Sequence, residues 1–226
     1  MDTGSYRYRI CTTLHLEKKL LETIRSCSPD IIVITGDLVD SNHTNVEHAA
    51  AFVEEAVKVA PVYYVTGNHE YWLDPSENEQ MMQGILAAGA YDLDDEAVRI
   101  EKGDSSFLLV GLDDQHLSDE TLKNLLQEQK NELSIVLAHE PQYLQNYANA
   151  ETDLVLTGHA HGGQIRLPFV GGIVAPDQGF LPEYTSGQYN SADTEMIVSR
   201  GLGNSIIPVR LFNYPEVVCV ELRCKN

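Results

Sequence analysis

Four short apolar runs, each followed by a polar side chain, dominate the pattern of this chain. The first covers residues 31–34, four β-branched residues in a row, and Gly36 and Asp37 come shortly after it. Continuous runs of this kind predict strands that are buried on both faces, as in a parallel sheet. Similar runs occupy 62–65, 134–138 and 154–157. The pattern therefore predicts four inner strands of an α/β fold.

Segments with helical spacing alternate with these runs. Helices are predicted over 17–26, 46–59, 77–88 and 119–130, and a turn at Gly103 predicts a hairpin of 97–101 with 106–112. From 162 to 182 the chain is rich in Gly and Pro and has no helical pattern. Because no linker or repeat of domain size interrupts the alternation, we predict a single domain over residues 1–226.

Charge and hydropathy narrow the classes of partner. The 226-residue chain has a formal net charge of −19, whereas a nucleic-acid-binding surface needs an excess of Lys and Arg. We therefore expect no nucleic-acid partner. No apolar run reaches membrane-spanning length, so we expect no membrane span in this chain. We expect a cytoplasmic location; a position at the periphery of a membrane and a removed N-terminal anchor both stay open.

Side chains that bind metals or transfer protons follow each of the four runs. They are Asp37 after the first, Asn68 and His69 after the second, His139 after the third, and His159 and His161 after the fourth. Ligands of open α/β sheets bind at the carboxyl ends of the strands. A lone histidine after a strand is more often structural than catalytic, so the interpretation depends on the whole set.

These residue types suit a pair of divalent ions that hydrolyses a phosphate ester. Two ions roughly 3.5–4 Å apart can activate a water and neutralise charge on phosphorus oxygens. Asp37 can bridge them through its two oxygens, and one amide oxygen and three imidazoles are available around it. This mixed ligand set favours manganese, iron or zinc over calcium. His69 adjoins a predicted ligand and can donate a proton to the departing oxygen.

Four motifs resemble those of the calcineurin-like metallophosphoesterases, in the same order and with similar spacing. They are Gly36-Asp37-Leu38-Val39-Asp40, Gly67-Asn68-His69-Glu70, His139, and Gly158-His159-Ala160-His161. The segment from Gly162 to Pro168 is similar to that of a bacterial subgroup. This subgroup contains membrane-associated phosphodiesterases and enzymes that hydrolyse the diphosphate of UDP-diacylglucosamine. One such motif is weak, but four in register are specific.

The resemblance implies a four-layer α/β/β/α sandwich of two mixed sheets. It also implies that Asp37 bridges two metals, that Asn68, His139 and His159 hold the second metal, and that His161 holds the first. A hydroxide that bridges the metals would attack phosphorus, with His69 near the leaving group. The expected substrate is a small phosphorylated molecule with a phosphodiester, phosphomonoester or diphosphate bond; a nucleotide-sugar and a lipid-linked diphosphate are candidates.

The first motif of the family, Asp-x-His, is altered in this chain. If His15 is the family histidine, Thr13 stands in place of the aspartate, and a neutral hydroxyl substitutes poorly for a carboxylate. One interpretation is loss of the motif, which leaves Asp37, His161 and His15 for the first metal. The alternative function is then a ligand-binding protein with one metal or none. The other interpretation, which we favour because the remaining motifs are intact, is that residues of this loop are absent from the sequence.

Arg166 and Arg210 are candidates for binding a substrate phosphate. Arginine is scarce in this acidic chain, and its guanidinium group matches phosphate oxygens in geometry and charge. A surface salt bridge is the ordinary alternative for both side chains.

Overall fold

The computed structural model describes the backbone of residues 7–12, 17–41, 44–127, 132–203 and 209–223, and the side chains from residue 19 onward within these ranges. Thr13 and His15, on which the altered first motif depends, lie outside the described residues.

Five described strands form one mixed sheet. In spatial order they are β15 (Val218–Arg223), β1 (Arg7–Thr12), β2 (Ile31–Thr35), β3 (Val62–Val65) and β4 (Tyr91–Asp92). The strands β1 to β4 are mutually parallel, while β15 runs antiparallel to β1. Every residue of β2 and β3 is buried, which confirms that the β-branched runs are covered on both faces.

Six further described strands form a second mixed sheet. Their spatial order is β13 (Gly187–Ser191), β14 (Thr194–Val198), β8 (Leu154–Thr157), β7 (Ser134–Leu137), β6 (Ser105–Gly111) and β5 (Ala97–Lys102). β14, β8, β7 and β6 are parallel, and the two outer strands are antiparallel to their neighbours. The pairing of β5 with β6 confirms the predicted hairpin.

Three apolar layers hold these sheets and the helices together. The helices are α1 (Glu17–Cys27), α2 (Val46–Ala56), α3 (Asn68–Tyr71), α4 (Pro75–Ala87), α5 (Asp119–Leu126) and α6 (Leu144–Asn149). One layer joins the first sheet to α1, α2 and α4, and another joins the second sheet to α5 and α6. The middle layer lies between the sheets and includes Val33, Leu137 and Leu156. The predicted four-layer sandwich is therefore confirmed.

The differences from the predicted elements are the short strands and the ends of helices. The segment 162–182 contains four two-residue strands: β9 (Arg166–Leu167), β10 (Gly171–Gly172), β11 (Val174–Ala175) and β12 (Gly179–Phe180). Strands this short have no alternating pattern that could reveal them. Helix α2 ends at Ala56, three residues before its predicted end. Within the described ranges, none of the helices has the length and apolarity that crossing a bilayer requires.

Candidate metal centre

The carboxyl ends of four inner strands meet at one edge of the sandwich. Asp37 follows β2, Asn68 follows β3, His139 follows β7 and His159 follows β8. Because β2 and β3 belong to one sheet and β7 and β8 to the other, the site lies across the two sheets. Asp37, His139 and His159 are all buried, and their ligand atoms lie within 4.8 Å of one another. The structure therefore brings together residues that are far apart in the sequence.

Two glycines allow this close approach. Gly36 has φ +83°, and a Cβ there would lie 2.5 Å from Nδ1 of His139 and 2.6 Å from the Cα of Gly67. A Cβ on Gly67 would lie 2.6 Å from Oδ1 of Asp37. All three distances are far below van der Waals contact. The turns after β2 and β3 can pack together only because neither of these positions carries a side chain.

His139 lies at the centre of the cluster, and the bonds of its two nitrogens define the site. Its Nδ1 is 2.7 Å from the backbone carbonyl oxygen of Thr35. A carbonyl only accepts, so Nδ1 carries a hydrogen. Its Nε2 is 2.9 Å from Oδ1 of Asn68, 3.0 Å from Nδ1 of His159 and 3.2 Å from Oδ2 of Asp37. With neutral His139, the unprotonated Nε2 and two acceptor oxygens face one small space, which is a donor set that suits a cation.

The charges in this cluster act in opposite directions on its imidazoles. Burial opposes the charged form of His139, but the Asp37 carboxylate outweighs burial and raises the pKa of His139 to about 10. Burial likewise opposes ionisation of Asp37, and the charge of His139 outweighs it and lowers the pKa of Asp37. Burial, with the positive charge of His139, lowers the pKa of His159 and of His161. At neutral pH, both of these imidazoles are therefore neutral and able to bind a metal.

Glu70 fastens the two turns to each other. Its carboxylate is fully buried and accepts hydrogen bonds from the backbone N–H groups of Asp37 (2.9 Å), Leu38 (2.8 Å) and Gly67 (2.7 Å). Burial and the nearby charge of Asp37 raise the pKa of Glu70 to about 8. From the sequence alone, Glu70 could be either a partner of the metal ligands or an ordinary turn residue. The signal in the sequence that could have identified its role is an acidic residue three positions after Gly67, because the turns after β2 and β3 have backbone N–H groups that need an acceptor.

His69 lies in the turn after β3, and its ring is oriented by the turn after β2. The backbone N–H of Ser41 donates to Nδ1 of His69 at 3.1 Å. Nδ1 is therefore an acceptor, and the proton of the neutral ring is on Nε2. The backbone N–H of His69 donates to Oδ1 of Asp37 at 3.0 Å. The side chain of His69 is buried, and its ring lies 4.9 Å from that of Trp72.

His161 lines the same cleft as Asp37, His139 and His159, next to residues 199–203. It is outside the tight group of three. Its φ is +46°, and its carbonyl oxygen accepts a 2.6 Å hydrogen bond from Nδ2 of Asn213. The predicted first-metal ligand is thus placed at the cleft. Its predicted partner His15 lies outside the described residues.

Asp177 is a site residue that sequence analysis missed. Its Oδ2 lies 2.8 Å from Nε2 of His159, on the opposite side of the ring from His139. Histidine ligands of metals commonly make such a second bond to a carboxylate, which fixes the orientation of the ring. Asp177 lies between β11 and β12, in the segment that has no helical or strand pattern, so its proximity depends on the tertiary fold.

The two predicted phosphate-binding arginines already bond to backbone carbonyls. Nη1 of Arg166 donates to the carbonyl oxygen of Gly162 at 2.8 Å. Arg210 donates from Nε to the carbonyl oxygen of Asn213 at 3.0 Å and from Nη2 to that of Arg200 at 2.8 Å. Among the contacts of the described residues, neither arginine makes a surface salt bridge, which is the ordinary alternative for both side chains. Both hold the backbone around the cleft, and substrate binding by either stays a prediction.

A second group of ligand atoms lies apart from this centre. Asp95, Asp113 and His116 bring one ligand atom each within 4.8 Å of the others, at exposed or half-buried positions. The carboxylate of Asp95 bonds to His116 and raises the pKa of its imidazole. Sequence analysis gave His116 no role, and an ion pair accounts for this contact.

Comparisons with known proteins agree with this geometry. A family model described as calcineurin-like phosphoesterase matches residues 13–163. The uncharacterized metallophosphoesterase YkuE of Bacillus subtilis is 32% identical over 219 residues, which cover 95% of this chain and 75% of that protein. Phosphodiesterase YaeI of Escherichia coli is 30% identical over 195 residues, with 86% and 70% covered. A dimetal phosphatase from Danio rerio has a similar fold, with TM-score 0.53, 11% identity, and 86% and 87% of the two chains covered.

Proposed function

We propose that the cluster of Asp37, Asn68, His139 and His159 is the hydrolytic centre of this chain. The premise is that the chain belongs to the calcineurin-like phosphoesterase family. As a member of this family, the chain is a metal-dependent phosphoric ester hydrolase. The observation that carries the proposal is the convergence of Asp37, Asn68 and His159 on Nε2 of His139. In the metal-free protein a proton on Nε2 of His139 balances the charge of Asp37, and a metal ion can take the place of that proton because the same lone pairs face it.

The residues present fit two divalent ions. We assign Asp37 as the bridging ligand, Asn68, His139 and His159 as ligands of one ion, and His161 as a ligand of the other. Manganese, iron and zinc suit this mixture of oxygen and nitrogen. When bound, such ions supply an activated water at neutral pH and neutralise charge on the phosphoryl oxygens. We also assign His15 to the ion that His161 binds, which is the first metal of the family's scheme.

The chain's own residues orient the predicted ligands and supply a hydrogen-bond donor for the leaving group. The Thr35 carbonyl holds His139 with its Nε2 facing the cluster, and Asp177 holds the His159 ring from its other nitrogen. His69 retains its proton on Nε2 because the Ser41 N–H occupies Nδ1. It can therefore donate a hydrogen bond from Nε2 to the oxygen of the leaving group and stabilise the negative charge that develops there as the phosphorus–oxygen bond breaks.

The substrate is a small phosphorylated molecule. A phosphodiester is the first candidate, since a relative that is 30% identical is a phosphodiesterase. A phosphomonoester and a diphosphate, including that of a nucleotide-sugar or of a lipid, are the other members of the proposed class. Because the predicted ligands come from both sheets, we also propose that the sheets form a single functional domain.

The test combines metal analysis with turnover of a soluble aryl phosphodiester in added manganese. Wild type should bind two metals per chain and hydrolyse the ester. His139→Ala should lose one metal and nearly all turnover, whereas His69→Ala should keep both metals and turn over at least about 100-fold more slowly. His48→Ala, an exposed histidine of α2, is the control and should behave as wild type. About one metal per chain without turnover in wild type would contradict the proposal and support the ligand-binding alternative.

A further inference from the structure

A fifth inner strand also delivers a charged side chain to the cleft of the metal centre. Arg200 follows the end of β14 by two residues, and β14 runs parallel to β8. Its carboxyl end therefore lies at the edge of the sandwich that carries the predicted ligands. Arg200 lines the same cleft as Asp37, His139 and His161. Its side chain is 31% exposed, so a ligand can reach it.

The guanidinium group of Arg200 keeps hydrogen-bond donors for such a ligand. Its Nε lies 3.3 Å from Oε2 of Glu216, and its backbone N–H donates to Oε1 of the same carboxylate at 3.0 Å. Among the described residues, neither Nη1 nor Nη2 of Arg200 has a hydrogen-bond partner. Arg166 and Arg210, in contrast, donate to backbone carbonyls. Arg200 is thus the arginine of this region that can offer both terminal nitrogens to an anion.

Three arginines share one carboxylate here. Burial lowers the pKa of Arg166 and of Arg210, and the positive charge of Arg200 lowers both pKa values further. Within the described part of the chain, Glu216 is the one carboxylate that acts on them in the opposite direction. Three positive groups and one negative group leave a formal charge of +2. Because the chain has 34 Asp and Glu against 15 Lys and Arg, ordinary pairing would not leave arginines short of carboxylates. Like charges this close repel each other, and a bound anion relieves the repulsion.

The two sides of the cleft differ in charge. Glu140 and Asp177 each place a carboxylate oxygen within 4.8 Å of a ring nitrogen of His159. On the other side, burial lowers the pKa of His161, and the positive charge of Arg210 acts in the same direction. This polarity favours one orientation of an unevenly charged substrate, with its more negative end toward the arginines.

We propose that Arg200 forms an anion subsite beside the metal centre. The subsite binds a second negatively charged group of the substrate, a phosphate or a carboxylate that lies outside the ester being cleaved. Arg166 and Arg210 add positive charge at longer range and hold the surrounding backbone. The place of the subsite in catalysis rests on the proposed function, whereas its binding of an anion does not.

The test compares two phosphodiesters that have the same 4-nitrophenyl leaving group. The second ester group is methyl in one and 2-phosphonoethyl in the other, and the enzyme cannot cleave the phosphonate. With manganese added, wild type should show a kcat/KM at least about tenfold higher for the phosphonate-bearing ester. Arg200→Gln should lower this ratio of kcat/KM values at least about fivefold, mainly through KM. Arg99→Gln is the matched control, because Arg99 also pairs with a glutamate but lies on β5, at the opposite edge of the second sheet. It should keep the wild-type ratio.

Glu216→Gln separates anion binding from structural support. The amide oxygen can still accept from the Arg200 N–H, but the negative charge is lost. The ratio of kcat/KM values should therefore rise at least about twofold, opposite in sign to the effect of Arg200→Gln. If both variants lower the ratio, Arg200 supports the structure only and the subsite inference fails.

Calorimetry with inorganic phosphate, in chelator, distinguishes this inference from the proposed function. Wild type should bind phosphate without metal, and Arg200→Gln should weaken that binding at least about fivefold. Equal affinity of the two proteins would overturn the subsite, and hydrolysis of both esters with equal kcat/KM would overturn it while the enzyme proposal stands. Phosphate binding that depends on Arg200, in a protein that cleaves neither ester, would support the subsite and refute the enzyme proposal.

Discussion

The contacts of Glu70 make Glu70→Gln the most informative single change in the protein. A glutamine has nearly the same shape as glutamate, but it offers one oxygen and one NH2 group in place of two oxygens. The glutamate accepts three backbone N–H bonds, two at Oε2 from Asp37 and Gly67 and one at Oε1 from Leu38. If the amide oxygen takes the position of Oε2, the NH2 group must face the N–H of Leu38. The opposite rotamer leaves two N–H groups without an acceptor.

The magnitude follows from these bonds. Above a pH of about 8, where Glu70 is ionised, a hydrogen bond to its charged carboxylate contributes about 1.5–3 kcal/mol, and a buried donor without a partner costs about 1–3 kcal/mol. We therefore expect Glu70→Gln to lower the free energy of unfolding by about 2–3 kcal/mol. The turns that carry Asp37 and Asn68 lose a common support, so manganese affinity should fall by about 10–100-fold, as is typical when an outer partner of a ligand is removed.

Urea unfolding with chelator measures the first quantity, and titration calorimetry with manganese measures the second. Glu22→Gln, on the exposed face of α1, is the control and should change neither. Glu70→Asp keeps two acceptor oxygens on a shorter side chain and should recover part of the metal affinity. If Glu70→Gln unfolds within about 0.5 kcal/mol of wild type and binds manganese equally well, the carboxylate does not hold the two turns and the reasoning fails.

Three further predictions follow from other parts of the centre. Asp177→Asn should weaken metal binding about tenfold while leaving the fold intact, since only the partner of His159 changes; equal affinity in calorimetry would exclude its orienting role. Gly67→Ala should abolish turnover of an aryl phosphodiester, because its Cβ would lie 2.6 Å from Asp37 Oδ1, and normal turnover would show that the turns can separate at little cost. In the metal-free protein, burial lowers the pKa of His161 from 6.5 to about 4, so between these values the unfolded chain binds a proton that the folded chain does not. The free energy of unfolding should fall as pH drops from about 6.5 to 4, and His161→Asn should reduce that slope; an unchanged slope in chelator would count against a buried neutral imidazole.

The sequence predicted the inner strands and their polar ends because each depends on local information. The β-branched residues of β2 fix its burial, and the glycine after it fixes the turn that presents Asp37. Position in the sequence also placed His139 and His159 at the ends of two such strands. These features need no knowledge of distant residues.

The rest of the site depends on contacts between distant segments. Asp177 reaches His159 across 18 residues of short turns, and Glu70 reaches Leu38 across 32. No periodic pattern encodes either contact. Arg166 shows the same limit. Its charge predicted that it binds a substrate phosphate, but its hydrogen bond to the Gly162 oxygen depends on how the loop folds.

The antiparallel pairing of β1 with β15 bears on how the protein is made. Residues of β1 bond to partners more than 200 positions later, from Arg7 opposite Arg223 to Thr12 opposite Val218. On the ribosome, β2 and β3 emerge long before β15, so the nascent first sheet keeps an incomplete edge until translation reaches that strand. During this interval β1 is available to wrong partners, and binding by a chaperone would be of most use there.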